Sequence, residues 1–112
     1  MSSSTRVVAA GGYQESPGFT SSNLIEFITI ASTGDATDFG DLVTASQLAG
    51  SSGGSNKIRG VFTGRGDYPS FGNSMQFITI ATTGNASDFG DVRSGGGTPY
   101  GSCNVSDSHG GL

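Results

Sequence analysis

At 112 residues the chain has the length of one domain. With 20 glycines, no tryptophan and 33% hydrophobic residues, it has little from which to build a core. A net charge of −4, with basic residues that do not cluster (Arg6, Lys57, Arg59, Arg65, Arg93), excludes the basic footprint of a nucleic-acid binder.

Cys103 is the single cysteine, so there is neither an internal disulfide framework nor a Cys-based metal site. No apolar run reaches the length of a membrane span. The opening MSSSTRVVAA lacks a basic segment and a long apolar run, so the expectation is synthesis in the cytoplasm without a signal peptide.

In chain order, residues 2–4 read as a frayed start. Residues 6–10, RVVAA, read as a short strand ending at Gly11-Gly12, and 59–63, RGVFT, are its counterpart ending at Gly64. A turn-rich loop follows each: 11–23 after the first strand, and the three-residue-shorter 64–73 after the second. Residues 23–42, NLIEFITIASTGDATDFGDL, then recur at 73–92 as NSMQFITIATTGNASDFGDV, with thirteen of twenty positions identical.

Within this duplicated unit, 24–31 and 74–81 are rich in Ile, Phe and Thr and read as strands. Alternation places Ile25, Phe27 and Thr29 (Met75, Phe77 and Thr79 in the second copy) on one face. Leu24, Ile28 and Ile30 lie on the other, with Glu26 intruding. Both faces are largely apolar, which predicts a strand covered on both sides. Thr33-Gly34-Asp35 and Thr83-Gly84-Asn85 read as turns. Third strands are expected over 39–45 and 89–93, a short fourth over 48–52 and, in the second copy, a strand near 102–105. Residues 53–56 read as a Gly/Ser linker.

The fold expectation is therefore all-β. It comprises two blade-like antiparallel repeats of about 50 residues (repeat 1 over 5–56, repeat 2 over 57–107, a stub at 108–112) in a single domain over 1–112. Two propeller-like blades alone leave two raw faces. Head-to-tail closure by identical chains, three chains giving six blades, is the simplest remedy. A β-solenoid or a two-repeat sandwich are the other architectures compatible with the pattern.

Thr5, Arg6, Val8, Gly11 and Gly12, followed by Asn73, Phe77 to Thr79, Gly84, Asn85 and Asp88 to Asp91, carry a resemblance. Over about three quarters of its length the chain resembles the kelch-like repeats of structural and fibre proteins of tailed bacteriophages, marine phages especially. The resemblance implies a propeller-like, virion-associated protein with a structural or binding role, not an enzyme. Its partners would be copies of itself, other virion proteins and a host-surface glycan. Such proteins commonly carry long arrays, whereas this chain has two repeats, which favours oligomerisation.

Candidate chemistry is sparse. Asp35, Asp38 and Asp41, repeated as Asn85, Asp88 and Asp91, have an oxygen-rich spacing open to Ca²⁺. Their duplication favours a structural part in the repeat turn, by side-chain bonds to backbone N–H groups, for Asp38, Asp41, Asp88 and Asp91. No metal or cofactor is expected. DFG without any other kinase element carries no phosphoryl-transfer reading. Arg65-Gly66-Asp67 spells an adhesion tripeptide that repeat 1 lacks. Asn85-Ala86-Ser87 and Asn104-Val105-Ser106 are glycosylation acceptor patterns that need a secretory route.

His109 and Cys103 have no partners for nucleophilic catalysis. Arg6 and Arg59 recur at one repeat position and are expected to pair with an aspartate of the DFGD phrase. The ligand-binding expectation falls on Tyr13, Phe19, Tyr68 and Phe71, aromatic rings in the loops where the repeats differ, although stapling a loop to its blade explains them equally well. A structural or adhesive virion protein thus leads, a soluble carbohydrate-binding propeller lectin follows, and a hydrolase ranks last for want of an acid/base pair.

Overall fold

The computed structural model describes residues 3–15, 18–47, 53–63 and 72–92. Tyr68, Phe71, Arg65-Gly66-Asp67, Arg93, Cys103, His109 and the strands expected over 48–52 and 102–105 lie outside the described residues. So does the stub at 108–112.

All regular structure among the described residues is β. Strands β1 (Arg6–Ala10), β4 (Leu24–Thr29) and β5 (Thr37–Asp41) form the first sheet, in the order β1-β4-β5. Strands β6 (Gly53–Ser55), β7 (Arg59–Thr63), β8 (Ser74–Thr79) and β9 (Ser87–Asp91) form the second, in chain order. β2 (Tyr13–Gln14) and β3 (Thr20–Ser21) make a small hairpin inside the longer first loop. Every pairing is antiparallel, and the described strands do not close into a propeller. No helix among the described residues is long and apolar enough to cross a membrane.

The duplication in sequence is a duplication in register. Val8 faces Phe27 as Val61 faces Phe77, and Arg6 faces Thr29 as Arg59 faces Thr79. The turns leading into β1 and β7 also match. Ser3 Oγ accepts the Arg6 N–H at 3.1 Å, as Asn56 Oδ1 accepts the Arg59 N–H at 2.7 Å. The start of the chain is therefore pinned at Ser3, where fraying was expected, because its short side chain takes up the N–H groups of Thr5 and Arg6.

The expected linker over 53–56 is likewise corrected. Gly53–Ser55 is strand β6, because Gly53, Gly54 and Ser55 find partners in Phe62, Val61 and Gly60. The third strands begin two residues earlier than expected. Each contains a bulge: Ile25 faces Gly40 while Glu26 faces Asp38, so Phe39 is the extra residue, and Phe89 is extra in the same way between Asp88 and Gly90. The DFGD phrase is thus a bulge signature. The unpaired Phe turns onto the sheet face beside Phe27 or Phe77, with ring centroids 5.9 Å apart in both copies.

The two sheets stack on each other through opposite faces. Val8, Ala10, Ile25, Phe39 and Leu42 of the first meet Phe62, Ile78, Ile80 and Ala86 of the second in one core. Fully burying side chains such as Ile25, Phe62 and Ile80 contributes about 1.5–3 kcal/mol each.

Among the described residues each central strand is consequently covered on one side only, not on both. Ile78 and Ile80 are 2% and 0% exposed, yet their counterparts Ile28 and Ile30 are 43% and 54% exposed. Phe39 is 3% exposed and its counterpart Phe89 is 49% exposed. Near-identical sequences thus sit in opposite environments because each copy has its one neighbour on a different side.

Candidate functional site: the seam between the repeats

The most elaborate polar geometry among the described residues lies where the first repeat's bulged strand meets the second repeat's β8–β9 turn. The Gly84 N–H donates to the Phe39 carbonyl at 2.7 Å, and the Ala86 N–H donates to the Asp41 carbonyl at 2.8 Å. Between them the Asp41 N–H donates to Asn85 Oδ1 at 3.0 Å. The bulge makes this possible, because it frees the β5 backbone from β4 at Phe39 and turns it toward the neighbouring repeat. Gly40, at φ +145°, is where the approach is tightest: a Cβ there would lie 2.5 Å from the Gly84 carbonyl oxygen.

A second contact is made by Gln76, which is 2% exposed. Its Oε1 accepts the N–H groups of Val43 (2.6 Å) and Thr44 (3.2 Å), and its Nε2 donates to the Thr44 carbonyl at 3.2 Å. These bonds fix the chain just after β5, which ends at Asp41 and does not run on to residue 45.

Arg6 closes the other end. Its guanidinium lies 4.5 Å from the centre of the Phe27 ring, and Nη1 donates to the carbonyls of Ile80 and Ala81 at 3.1 Å each. The expected Arg–Asp pairing is therefore not what forms. The charge is used on the backbone carbonyls of the neighbouring repeat's turn. Arg59 stacks in the same way on Phe77 at 4.9 Å, with no carbonyl to receive it among the described residues.

A testable asymmetry follows. Arg6→Ala should lower stability by about 2 kcal/mol, from the loss of two charge-assisted bonds, and Arg59→Ala by about 0.5–1 kcal/mol, from the exposed ring contact alone. Urea unfolding midpoints, taken at concentrations where each variant is a single species, measure the difference.

The four aspartates assigned to the repeat turn lie in strands β5 and β9, flanking the bulges. Asp88 Oδ1 accepts the Gly90 N–H at 3.1 Å, so that carboxylate serves its own bulge. No group of three or more His, Cys, Asp or Glu residues that could hold a metal ion occurs among the described residues.

Of the four candidate ligand-binding aromatics, Tyr13 and Phe19 are brought together. Their rings stack with centroids 5.7 Å apart across the β2–β3 hairpin, both exposed. Beside Tyr13 is a shallow cleft of about 190 Å³ lined by Gln14, Ser22, Leu24 and Glu26 among others. That is smaller than the several hundred Å³ usual for small-molecule sites.

Sequence reasoning missed Gln76, Asn85 and Gly40 as contact residues. The available signal was in the duplicated stretch itself. Glu26 against Gln76 and Asp35 against Asn85 are its two exchanges of a carboxylate for an amide of the same shape, and both amides lie in the seam. No family model, curated protein or solved structure matches the chain.

Proposed function

We propose that the chain is a structural or adhesive component of a bacteriophage particle. Two blade-like repeats stack head-to-tail with further copies of the chain, as an oligomeric propeller used in particle or fibre assembly or in attachment to the host surface. The observation that carries the self-association is the seam. Its two sides are different surfaces, and a near-copy of each is left exposed at the far side of the other repeat: Ile28 and Ile30 on the first, Phe89 and Val92 on the second. Apolar faces of this kind, on a chain with so small a core, are surfaces for a partner. Heterologous contacts between identical chains close into rings, three chains giving six blades, or continue as fibres. The phage particle as the setting rests on the resemblance of the repeats to kelch-like phage sequences.

The runner-up, a soluble carbohydrate-binding lectin of the same architecture, is favoured by the stacked Tyr13 and Phe19 rings beside a cleft with Gln14 and Glu26 on its wall. Aromatic faces with adjacent amide and carboxylate groups are the chemistry that grips a sugar ring. An array of surface glycans tests the adhesive part. Binding that falls about tenfold in Tyr13→Ala/Phe19→Ala, by the loss of roughly 1.4 kcal/mol of ring contact, with oligomer mass unchanged, supports attachment through this hairpin. Self-association without binding to any glycan leaves the structural role alone. A monomer that binds nothing contradicts both.

A further inference from the structure

We infer that a second copy of this chain docks by repeating the internal seam, with the second repeat's Phe89 face of one copy seated on the first repeat's Ile28 face of the next. We infer further that one carboxylate, Glu26, standing where the internal seam buries Gln76, holds this contact weaker than the internal one. The inference rests on the self-association proposed above and deepens it by naming which surfaces meet and what tunes them.

The argument is one of equivalence between described residues. Inside the chain the seam uses Phe39, Gly40 and Asp41 on one side and Gly84, Asn85 and Ala86 on the other. Fifty residues later in the first set stand Phe89, Gly90 and Asp91. Fifty residues earlier in the second set stand Gly34, Asp35 and Ala36. Both triplets carry the required backbone. Gly90 keeps a positive φ of +124° in a bulge of the same register as Gly40, and Gly34 keeps +154° against +152° at Gly84. A Cβ on Gly90 would touch nothing within 4 Å, so the narrow approach seen at Gly40 has its counterpart open at Gly90.

Arg59, laid over Phe77 as Arg6 is over Phe27, is set to donate to the Ile30 and Ala31 carbonyls of the next copy. Gly34 and Ala36 would donate to the Phe89 and Asp91 carbonyls, and Asp35 would accept the Asp91 N–H in place of Asn85.

Among the described residues the two sides fit with three polar departures, one being Thr63 where the internal seam has Ala10. Where the internal seam buries Gln76 and carries the exposed Asn85 at its edge, the exposed face offers Glu26 and Asp35. Each keeps the acceptor oxygen and the shape of the amide, adds a charge and loses the N–H₂ donor. Burying a carboxylate is costlier than burying an amide of the same shape. Charges on an exposed sheet face are also a known guard against uncontrolled association. The contact between copies is thus the internal seam with a buried charge added.

The test separates this seam from self-association in general. Ile28→Lys blocks the first-repeat face and Phe89→Lys blocks the second. Both side chains are substantially exposed, and circular dichroism checks that each variant keeps its fold. At concentrations where the unaltered chain associates, native mass spectrometry should find each variant alone as a monomer. An equimolar mixture should give a 1:1 dimer and nothing larger, because only one complementary pair of faces remains. Adding Glu26→Gln to the Phe89→Lys chain should tighten its binding to the Ile28→Lys chain by about tenfold or more, as one buried charge is removed.

If the unaltered chain associates but either variant alone does so equally well, or the mixture stays monomeric, the seam assignment is overturned while self-association stands. If the unaltered chain is itself monomeric, the self-association reading fails. If Glu26→Gln leaves the affinity unchanged or weakens it, the tuning part is wrong.

Discussion

Gly40→Ala is expected to cost about 2–5 kcal/mol, a large share of the stability of a small domain. Two effects add at this position. An L-residue at a φ of +145° is strained by about 1–2 kcal/mol, and the new methyl would lie 2.5 Å from the Gly84 carbonyl oxygen. That oxygen belongs to the backbone of the opposing turn, which the Gly84 and Ala86 N–H bonds hold in place, so it cannot swing aside as a side chain would. Separating the repeats to make room breaks those bonds and opens the core beneath them, a penalty of the size usual for overpacking, about 1–3 kcal/mol.

Gly90→Ala is the internal control, since it has the same repeat position and the same bulge, a φ of +124°, and open space around the new Cβ. It should show only the conformational strain, about 1–2 kcal/mol. Urea midpoints for the two variants, measured on dilute monomer, give the comparison. Equal losses would mean that the repeats do not approach each other at Gly40.

The second large effect is at Gln76. Gln76→Leu keeps the volume and the apolar surroundings but leaves the Val43 and Thr44 N–H groups and the Thr44 carbonyl without the partner that now satisfies them. Three hydrogen bonds at about 1 kcal/mol each, and the desolvation of whatever stays buried, put the loss at about 2–4 kcal/mol. Glu26→Leu changes the equivalent residue on the exposed face, where no such bonds exist among the described residues. Its effect on monomer stability should stay within about 0.5 kcal/mol. Thermal or urea unfolding measures both. A Gln76→Leu variant as stable as its parent would show that the chain after Asp41 is not held by this amide.

These comparisons between equivalent positions also mark how far the sequence alone could be read. The strands Arg6–Ala10 and Arg59–Thr63 were legible residue for residue, because β-branched runs ending in Gly leave few alternatives. The central strands were legible because FITIA is duplicated without a gap. The third strands were misplaced by two residues because a bulge leaves no mark in alternation. Phe39 and Phe89 look like ordinary strand residues until the register shows them to be extra.

The faces were the instructive case. Alternation showed two apolar sides on each central strand and so predicted cover on both, yet among the described residues each has one neighbour. Nothing in 24–31 or 74–81 distinguishes the covered side from the bare one, because the pattern encodes stacking and not the number of units stacked. Glu26 was legible as an intrusion of charge and Asp35 as a turn residue. Their meaning emerged only when Gln76 and Asn85 were found at work in the seam. Tyr13 and Phe19 were read as a pair of loop aromatics, and they do stack, in a hairpin that the loop's length permits but does not announce.

The central claim is that the seam inside the chain is one instance of a contact the chain also makes with its own copies. Sedimentation equilibrium of the unaltered protein over a wide concentration range tests it most directly. The expected result is a mass that rises from the 11.2 kDa chain to a whole multiple of it, three chains for a six-blade ring or steadily more for a fibre. A mass that stays at one chain at every concentration would contradict the account.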